Sequence, residues 1–291
     1  MTLTIGTHSG SFHADDVLAV AMLQIFVDPE ATVVRTRDLE KLAACDAVVD
    51  VGGEHDPARR RFDHHQQTYE GPRSSAGMVL DWLEAEGHVT PVFATRLRRE
   101  AVDYVDDVDN GRRSPEGDTP CFASLVGCIN NDPGSGDDFD ARFLAAVDFA
   151  KRYVRGMHAG HVAAERAKAT VRAAMERAST AGRRTMEFAE YVPWKEAYFE
   201  LGGAEHPTEF VVFPAESTWR VIAIPPQLGS FDEKRPLPQA WAGLVDEELE
   251  RVTGIPGARF CHKNRFIAVF SDRAGAVRGL VEAFGEEYRP A

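Results

Sequence analysis

Short β-branched runs alternate with helically spaced apolar side chains through the first half of the chain. Leu3-Thr4-Ile5, Thr32 to Arg35 and Ala47 to Val51 predict three strands. Between the first two, Asp15 to Phe26 predicts an amphipathic helix, and Ser75 to Glu86 sets Met78, Val79, Trp82 and Leu83 on one helical face. Pro91 to Val108 predicts more helix, closed by Asn110-Gly111, a pair that ends helices and starts turns. Elements in this order build a mostly parallel sheet flanked by helices, an α/β domain. A polar loop from Asn130 to Asp140 follows, then a long Ala-rich helical stretch, Ala141 to Ala181, broken by Gly156 and Gly160. The second half changes character. Phe210 to Phe213 and Trp219 to Ile224 predict strands around a short Pro-containing turn, Leu237 to Val252 a helix, Phe266 to Phe270 a strand and Ala274 to Phe284 a closing helix. That pattern predicts a smaller α+β domain at 181–291, after a first domain at 1–180 that includes the long connecting helix.

Composition narrows the class. Hydrophobic residues make up 44% of the 291, enough for sizeable cores. The most apolar run, Val17 to Val27, contains Gln24 and falls short of the ~20 residues a membrane span needs. The N-terminal residues lack the basic stretch of a secretory signal, so a soluble cytoplasmic protein is expected. Cys45, Cys121, Cys128 and Cys261 show no C-x-x-C spacing and are expected as free thiols, with Cys45 and Cys261 buried. The net charge of −13 excludes a protein that coats duplex DNA by charge neutralisation, though not one with a local basic groove.

Four clusters combine Asp with His, Asn or Gly where a predicted strand or helix ends. They are Thr7-His8-Ser9-Gly10-Ser11-Phe12-His13-Ala14-Asp15-Asp16, Val48-Val49-Asp50-Val51-Gly52-Gly53, Phe62-Asp63-His64-His65 and Val105-Asp106-Asp107-Val108-Asp109-Asn110-Gly111. Each has an ordinary structural reading alone. Asp15 could cap a helix and Asp16 favour its dipole, Asp109-Asn110-Gly111 could be a turn, and His64-His65 a solvated loop. Asp50 is harder to dismiss, because an acid ending a buried strand gains nothing from burial unless it is paired or bound. Ligands of open α/β sheets gather outside the carboxyl ends of the strands, where all four clusters can meet. Imidazoles and carboxylates without thiolates suit Mn²⁺, Fe²⁺, Co²⁺ or Zn²⁺, and two such ions can activate water against a phosphoryl group.

These clusters resemble the DHH phosphoesterase superfamily, which includes single-strand exonucleases, oligoribonucleases, cyclic-dinucleotide phosphodiesterases and a manganese pyrophosphatase. More closely, they and Val33 to Asp38, Ser74 to Gly77, Pro193-Trp194-Lys195-Glu196, the spaced residues Leu237, Pro238, Trp241, Gly243 and Leu244, and Gly254-Ile255-Pro256-Gly257 are similar to the melanocyte proliferating gene family. The resemblance implies that His8, His13 and Asp50 hold one ion. It implies that Asp15, Asp50, His64 and one of Asp109 or Asp106 hold the other, with Asp50 bridging and Asp109 favoured by the Asn-Gly turn. His65 falls where the superfamily places a phosphate-contacting imidazole, which makes His65 and Asp50 the expected catalytic pair. Where His13 stands the wider superfamily has Asp, so the first site carries one negative charge fewer.

Two divalent cations follow as cofactors, Mn²⁺ first, with Zn²⁺, Fe²⁺, Co²⁺ or Mg²⁺ as alternatives. Ser74 and Ser75 open a predicted helix whose N–H groups suit an anion, and Lys234, Arg235, His262, Lys263 and Arg265 offer positive charge in the second domain. Phe231, Trp241, Phe260 and Phe266 are the available base-stacking rings. The expected function is metal-dependent phosphodiester hydrolysis in a cleft between the domains, 3′→5′ on RNA or short oligonucleotides. A small-molecule phosphatase or pyrophosphatase, and a non-catalytic regulatory protein keeping the fold, are the alternatives. A homodimer is left open.

Overall fold

A computed structural model of the chain describes residues 2–115, 120–135 and 138–291. It divides into two compact units, 1–161 and 162–291. The first unit opens with β1 (Thr4–Thr7), α1 (Ala14–Phe26), β2 (Thr32–Arg35), α2 (Leu39–Ala43) and β3 (Ala47–Val49), followed by the short pair β4 (His55–Asp56) and β5 (Arg61–Phe62). The strands form one sheet in the order β2-β1-β3-β5-β4, parallel except for β4. α3 (Ser75–Ala85), α4 (Pro91–Leu97), a π-helical turn at Arg98–Val102, α5 (Asp103–Asp109), α6 (Phe122–Asn130) and the start of α7 (Phe139–Thr180) complete the unit. The first unit is thus the expected mixed α/β arrangement.

Burial explains the layering. Every residue of α1 from Ala14 to Gln24 is buried, because α3, α5 and α6 surround it and the sheet lies beneath. Ile5, Val49 and Phe62 join that core, whereas Val48 turns to the opposite face with Leu42 and Cys45. Gly6 lies on that second face, where a Cβ would come within 2.9 Å of Leu42, so α2 sits close only because the strand carries a glycine there.

α7 runs unbroken for 42 residues, against the expected interruption at Gly156 and Gly160. Both glycines are on exposed positions, while Phe143, Val147, Ala150, Val154 and Met157 keep a continuous buried stripe. An exposed helical Gly costs about 1 kcal/mol, too little to break a helix packed along its length. The division between the units falls within this helix, at His161/Val162, and not at its end near residue 180 as the sequence suggested. The stripe explains the difference, since its later members, Ala167, Val171 and Ala174, belong to a core of the second unit.

The second unit adds β6 (Thr185–Glu187), α8 (Trp194–Glu200), β7 (Phe210–Ala215), β8 (Thr218–Ala223), α9 (Asp246–Thr253), β9 (Ala258–Cys261), β10 (Ile267–Phe270) and α10 (Arg273–Phe284). Its sheet has the order β6-β7-β8-β10-β9, with β6 parallel to β7 and the rest antiparallel. Val211 and Phe213 face one apolar core, Phe210 and Val212 another, as strand alternation requires. The helix expected from Leu237 to Val252 forms only at α9. Upstream of it Gly243 has φ +77° and its N–H bonds Cys261 O at 3.1 Å, while Cys261 N bonds Leu244 O at 3.0 Å, so the segment pairs with the sheet instead.

Candidate metal centre

Three strand ends and two helix ends deliver the polar cluster of the first unit. His8 follows β1 directly, and Asp15 and Asp16 lie in the first turn of α1. Asp50 follows β3 with φ +56°, a left-handed conformation that a short polar side chain tolerates, while its N–H still bonds Phe62 O at 3.0 Å. His64 and His65 come just beyond β5, and Asp109 is the last residue of α5.

The two oxygens of Asp50 look in different directions. Oδ2 lies 3.2 Å from His8 Nε2, and Oδ1 lies 3.4 Å from His64 Nε2. His64 Nε2 is also 3.0 Å from Asp109 Oδ2 and 3.8 Å from Asp15 Oδ2, and His8 Nε2 is 3.3 Å from Asp16 Oδ2. One donor atom each from His8, His13 and Asp50 can be gathered within 4.8 Å, as can donors from Asp15, Asp16 and Asp50, from His13, Asp15 and Asp109, and from Asp50, His64 and His65. The expected ligand positions are therefore neighbours in space.

Electrostatics make this grouping costly without a cation. Burial, reinforced by the charges of Asp50, Asp109 and Asp16, pushes the Asp15 carboxyl well above its usual range. Burial and the Asp50 charge push Asp16 up to about 7. Burial opposes ionisation of Asp50 too, but the imidazoles of His64 and His8 outweigh it and hold that carboxyl at about 2. His64 is pushed up to about 11, because Asp109, Asp50 and Asp15 overcome its burial. Even so, Asp15 Oδ1, Asp16 Oδ2, Asp50 Oδ1 and His64 Nε2 are buried with no well-formed hydrogen bond. A buried polar atom without a hydrogen bond costs up to about 1–3 kcal/mol, which the ion pairs among these groups offset only in part. Four such atoms converging, all oxygen or imidazole nitrogen, fit a divalent cation of the borderline class.

Asp106 and Asp109, open alternatives in the sequence, have different surroundings. Asp106 Oδ1 accepts from Ser74 N at 2.9 Å, Ser74 Oγ at 2.7 Å and Gly77 N at 3.1 Å, and Oδ2 accepts from Arg73 Nη1 at 3.3 Å. It caps α3 and is saturated. A Cβ on Gly77 would overlap that carboxylate, so the glycine makes room for the cap. Asp109 faces His64.

The anion site expected at Ser74 and Ser75 does not form. Both side chains are fully buried; the Ser74 hydroxyl donates to Asp106 and the Ser75 hydroxyl to Phe62 O at 2.8 Å. Lys234 is likewise engaged, its Nζ donating to Gly203 O at 2.6 Å, His206 O at 2.8 Å and Tyr198 Oη at 3.1 Å. Arg235 donates to Glu209 at 2.7 Å and lies over the rings of Phe284 and Tyr288. Their charge serves packing in the second unit. His262 is half-buried beside Phe266, with ring centroids 4.5 Å apart. Of the stacking candidates Trp241 is buried, Phe260 half-buried, and Phe266 and Phe231 exposed.

Two residues were absent from the expected set. Asp16 is buried and its Oδ1 accepts from His13 N at 3.1 Å and Val17 N at 2.8 Å, leaving Oδ2 toward His8. The signal was present: Val17 to Leu23 has no polar position, so an acid one residue ahead cannot reach water by facing outward. Asp63 accepts from Gly53 N at 2.5 Å, His65 N at 3.1 Å and His65 Nδ1 at 2.7 Å, which orients the exposed His65 ring.

The family model MYG1_exonuc, described as Uncharacterised protein family (UPF0160), matches residues 4–282. The chain belongs to this MYG1 family. It is 39% identical over 280 residues to "MYG1 protein" of Chlamydia trachomatis, covering 95% of each chain. It is 34% identical over 316 residues to "MYG1 exonuclease" of Homo sapiens, covering 94% of this chain and 83% of the relative. Among solved structures, RecJ of Thermus thermophilus in complex with Mn²⁺ aligns with a TM-score of 0.30 at 14% identity, covering 97% of this chain. The chain spans about half of RecJ, 52%, and a likeness at that score carries no inference. Among the described residues no helix is long and apolar enough to cross a membrane.

Proposed function

We propose that this MYG1-family chain is a divalent-metal-dependent phosphodiester hydrolase, acting 3′→5′ on RNA or short oligonucleotides. The observation that carries the reading is the convergence of buried carboxylates and an imidazole from Asp15, Asp16, Asp50 and His64, paired in charge but each with a buried atom that lacks a well-formed hydrogen bond. The name exonuclease on its mammalian relatives supports a nucleic-acid substrate. In this reading His8, His13 and Asp50 hold one cation, and Asp15, Asp50, His64 and Asp109 hold a second, Mn²⁺ being the first choice. Asp50 serves both, since its oxygens face different imidazoles. Two such cations supply neutralisation of phosphoryl charge and a more acidic water. The chain's own groups do the rest. Asp63 fixes the His65 ring through Nδ1, which leaves Nε2 to contact a phosphate oxygen or hold a proton at the leaving group. The second unit is assigned substrate binding, for which the exposed Phe266 beside His262 is the support.

The test uses the purified full chain with Mn²⁺ and a 5′-labelled oligoribonucleotide, in parallel with pyrophosphate and mononucleotides. A ladder shortened from the 3′ end, abolished by chelator, is expected. Phosphate release confined to pyrophosphate or mononucleotides would replace this reading with a small-molecule phosphatase, and no turnover on any of them would leave a binding protein.

A further inference from the structure

A cavity of about 370 Å³ opens beside the cluster, lined by His8, His13, Asp50 and His65 and also by Ser11 and Arg37. Arg37 is the residue there that the metal-ligand reading leaves unexplained. It stands two positions beyond β2, in the segment that joins the carboxyl end of that strand to α2. Its backbone is held on both sides. Thr36 N bonds Thr7 O at 2.7 Å, Asp38 N bonds Thr36 Oγ1 at 3.1 Å, and the Asp38 side chain caps α2 by accepting from Glu40 N at 3.0 Å. Its guanidinium, in contrast, makes no hydrogen bond or ion pair with any described residue.

That freedom is informative in a chain with 46 acids against 33 bases. Two residues earlier, Arg35 is held through both terminal nitrogens: it donates to Gly10 O at 2.6 Å and Asp140 Oδ1 at 2.9 Å, and packs over Phe143 at 4.6 Å. Arg37 is exposed at the mouth of the cavity, so its guanidinium is solvated and open to an anion brought from outside. Across the cavity, Ser11 Oγ accepts from Asn130 Nδ2 at 2.7 Å, so its own proton is left to donate. Apart from its three imidazoles the cavity lining holds one small aliphatic side chain, Val51, and no Phe, Tyr or Trp, which suits a phosphate and its sugar better than a base.

We propose that Arg37 is the phosphate anchor of this site, taking the non-bridging oxygens of the substrate's phosphoryl group in the fork geometry of a guanidinium. The assignment rests on the phosphoester reading above and adds to it the residue that holds the anion. Substrate would then be held by its backbone and not by its base, so cleavage would be indifferent to sequence.

The experiment titrates inorganic phosphate by calorimetry into the Mn²⁺-loaded full chain, wild type, Arg37→Ala and Arg37→Lys, with Mn²⁺ content measured on each. The expected result is phosphate binding weakened at least tenfold in Arg37→Ala, an intermediate loss in Arg37→Lys, and unchanged Mn²⁺ content. Hydrolysis should show a raised KM with a smaller change in kcat. Equal phosphate affinity in wild type and Arg37→Ala would overturn the proposal, as would loss of Mn²⁺ from Arg37→Ala or a wild type that binds no phosphate. If wild type binds phosphate through Arg37 yet cleaves no phosphoester, the anchor stands and the hydrolase reading fails. If it cleaves and Arg37→Ala does so with unaltered KM, the anchor alone fails.

Discussion

Replacing Asp106 and Asp109 one at a time tests whether a structural acid and a proposed metal ligand lie three residues apart. Asp106→Ala removes the shared acceptor of Ser74 N, Ser74 Oγ and Gly77 N at the buried start of α3. The hydroxyl can turn elsewhere, but the two backbone N–H groups cannot. At about 1–3 kcal/mol for each buried donor left unmade, the loss is about 4 kcal/mol. For a unit of this size that lowers Tm by roughly 8–16 °C. Asp109→Ala removes no such cap; its side chain is 15% exposed and faces His64 across 3.0 Å. Without metal, losing this partner of His64 is offset by relief of the charge that Asp109 sets against Asp15, so stability should fall by less than in Asp106→Ala. What it should lose is the stabilisation by metal, about 2.7 kcal/mol for a site at a hundredfold excess over Kd. Thermal unfolding of both variants with chelator and with Mn²⁺, plus elemental analysis, reads both quantities. The reasoning is refuted if Asp106→Ala unfolds like wild type in chelator but has lost metal, or if Asp109→Ala keeps its full metal content and the full Mn²⁺-induced rise in Tm.

Asp50→Asn should abolish metal-dependent hydrolysis, with a loss of at least about 10³-fold, while circular dichroism stays native; full residual activity would show that Asp50 does not serve the cations. His65→Ala should keep its metal and slow turnover by about 10²–10⁴-fold, and loss of an ion on elemental analysis would make His65 a ligand. Gly77→Ala should destabilise by about 3 kcal/mol, because the methyl displaces the Asp106 carboxylate from the α3 cap. Gly156→Ala, on the exposed face of α7, should stabilise by about 0.5–1 kcal/mol; chemical denaturation that ranks the two alike would contradict the packing described.

Much of the first unit was readable because its signals are local. The bounds expected for β2 coincide with those observed, α1 and α3 differ from expectation by one residue at an end, and Asn110-Gly111 does close α5. The two-residue strands β4 and β5 were not readable, since so short a run has no periodicity; β5 exists because β3 offers it an edge, and β4 because β5 does. Leu237 to Leu244 had helical spacing, yet the pairing with Cys261 lies 17 residues or more ahead in the chain and overrode it. The same holds for charge. Lys234 looked free in sequence, and what occupies it is the set of carbonyls in the loop after α8, beyond any local pattern.

Residue types and their order along the chain were enough to predict a parallel sheet, the four polar clusters at element ends and the borderline-metal chemistry of their side chains, because propensity and ligand softness belong to the residues themselves. Which acid does what was decided in three dimensions. Asp106 and Asp109 differ by less than one helical turn, and only the packing of α5 against α3 gives one of them a helix terminus to cap and the other a histidine to face. Asp16 became part of the cluster because α1 is buried on every side, and Arg37 became a candidate anchor because the fold pairs Arg35 and leaves Arg37, two positions on, exposed and without a partner among the described residues. Hydrogen-bond saturation is a property of contacts, and contacts between distant residues exist only in the folded chain.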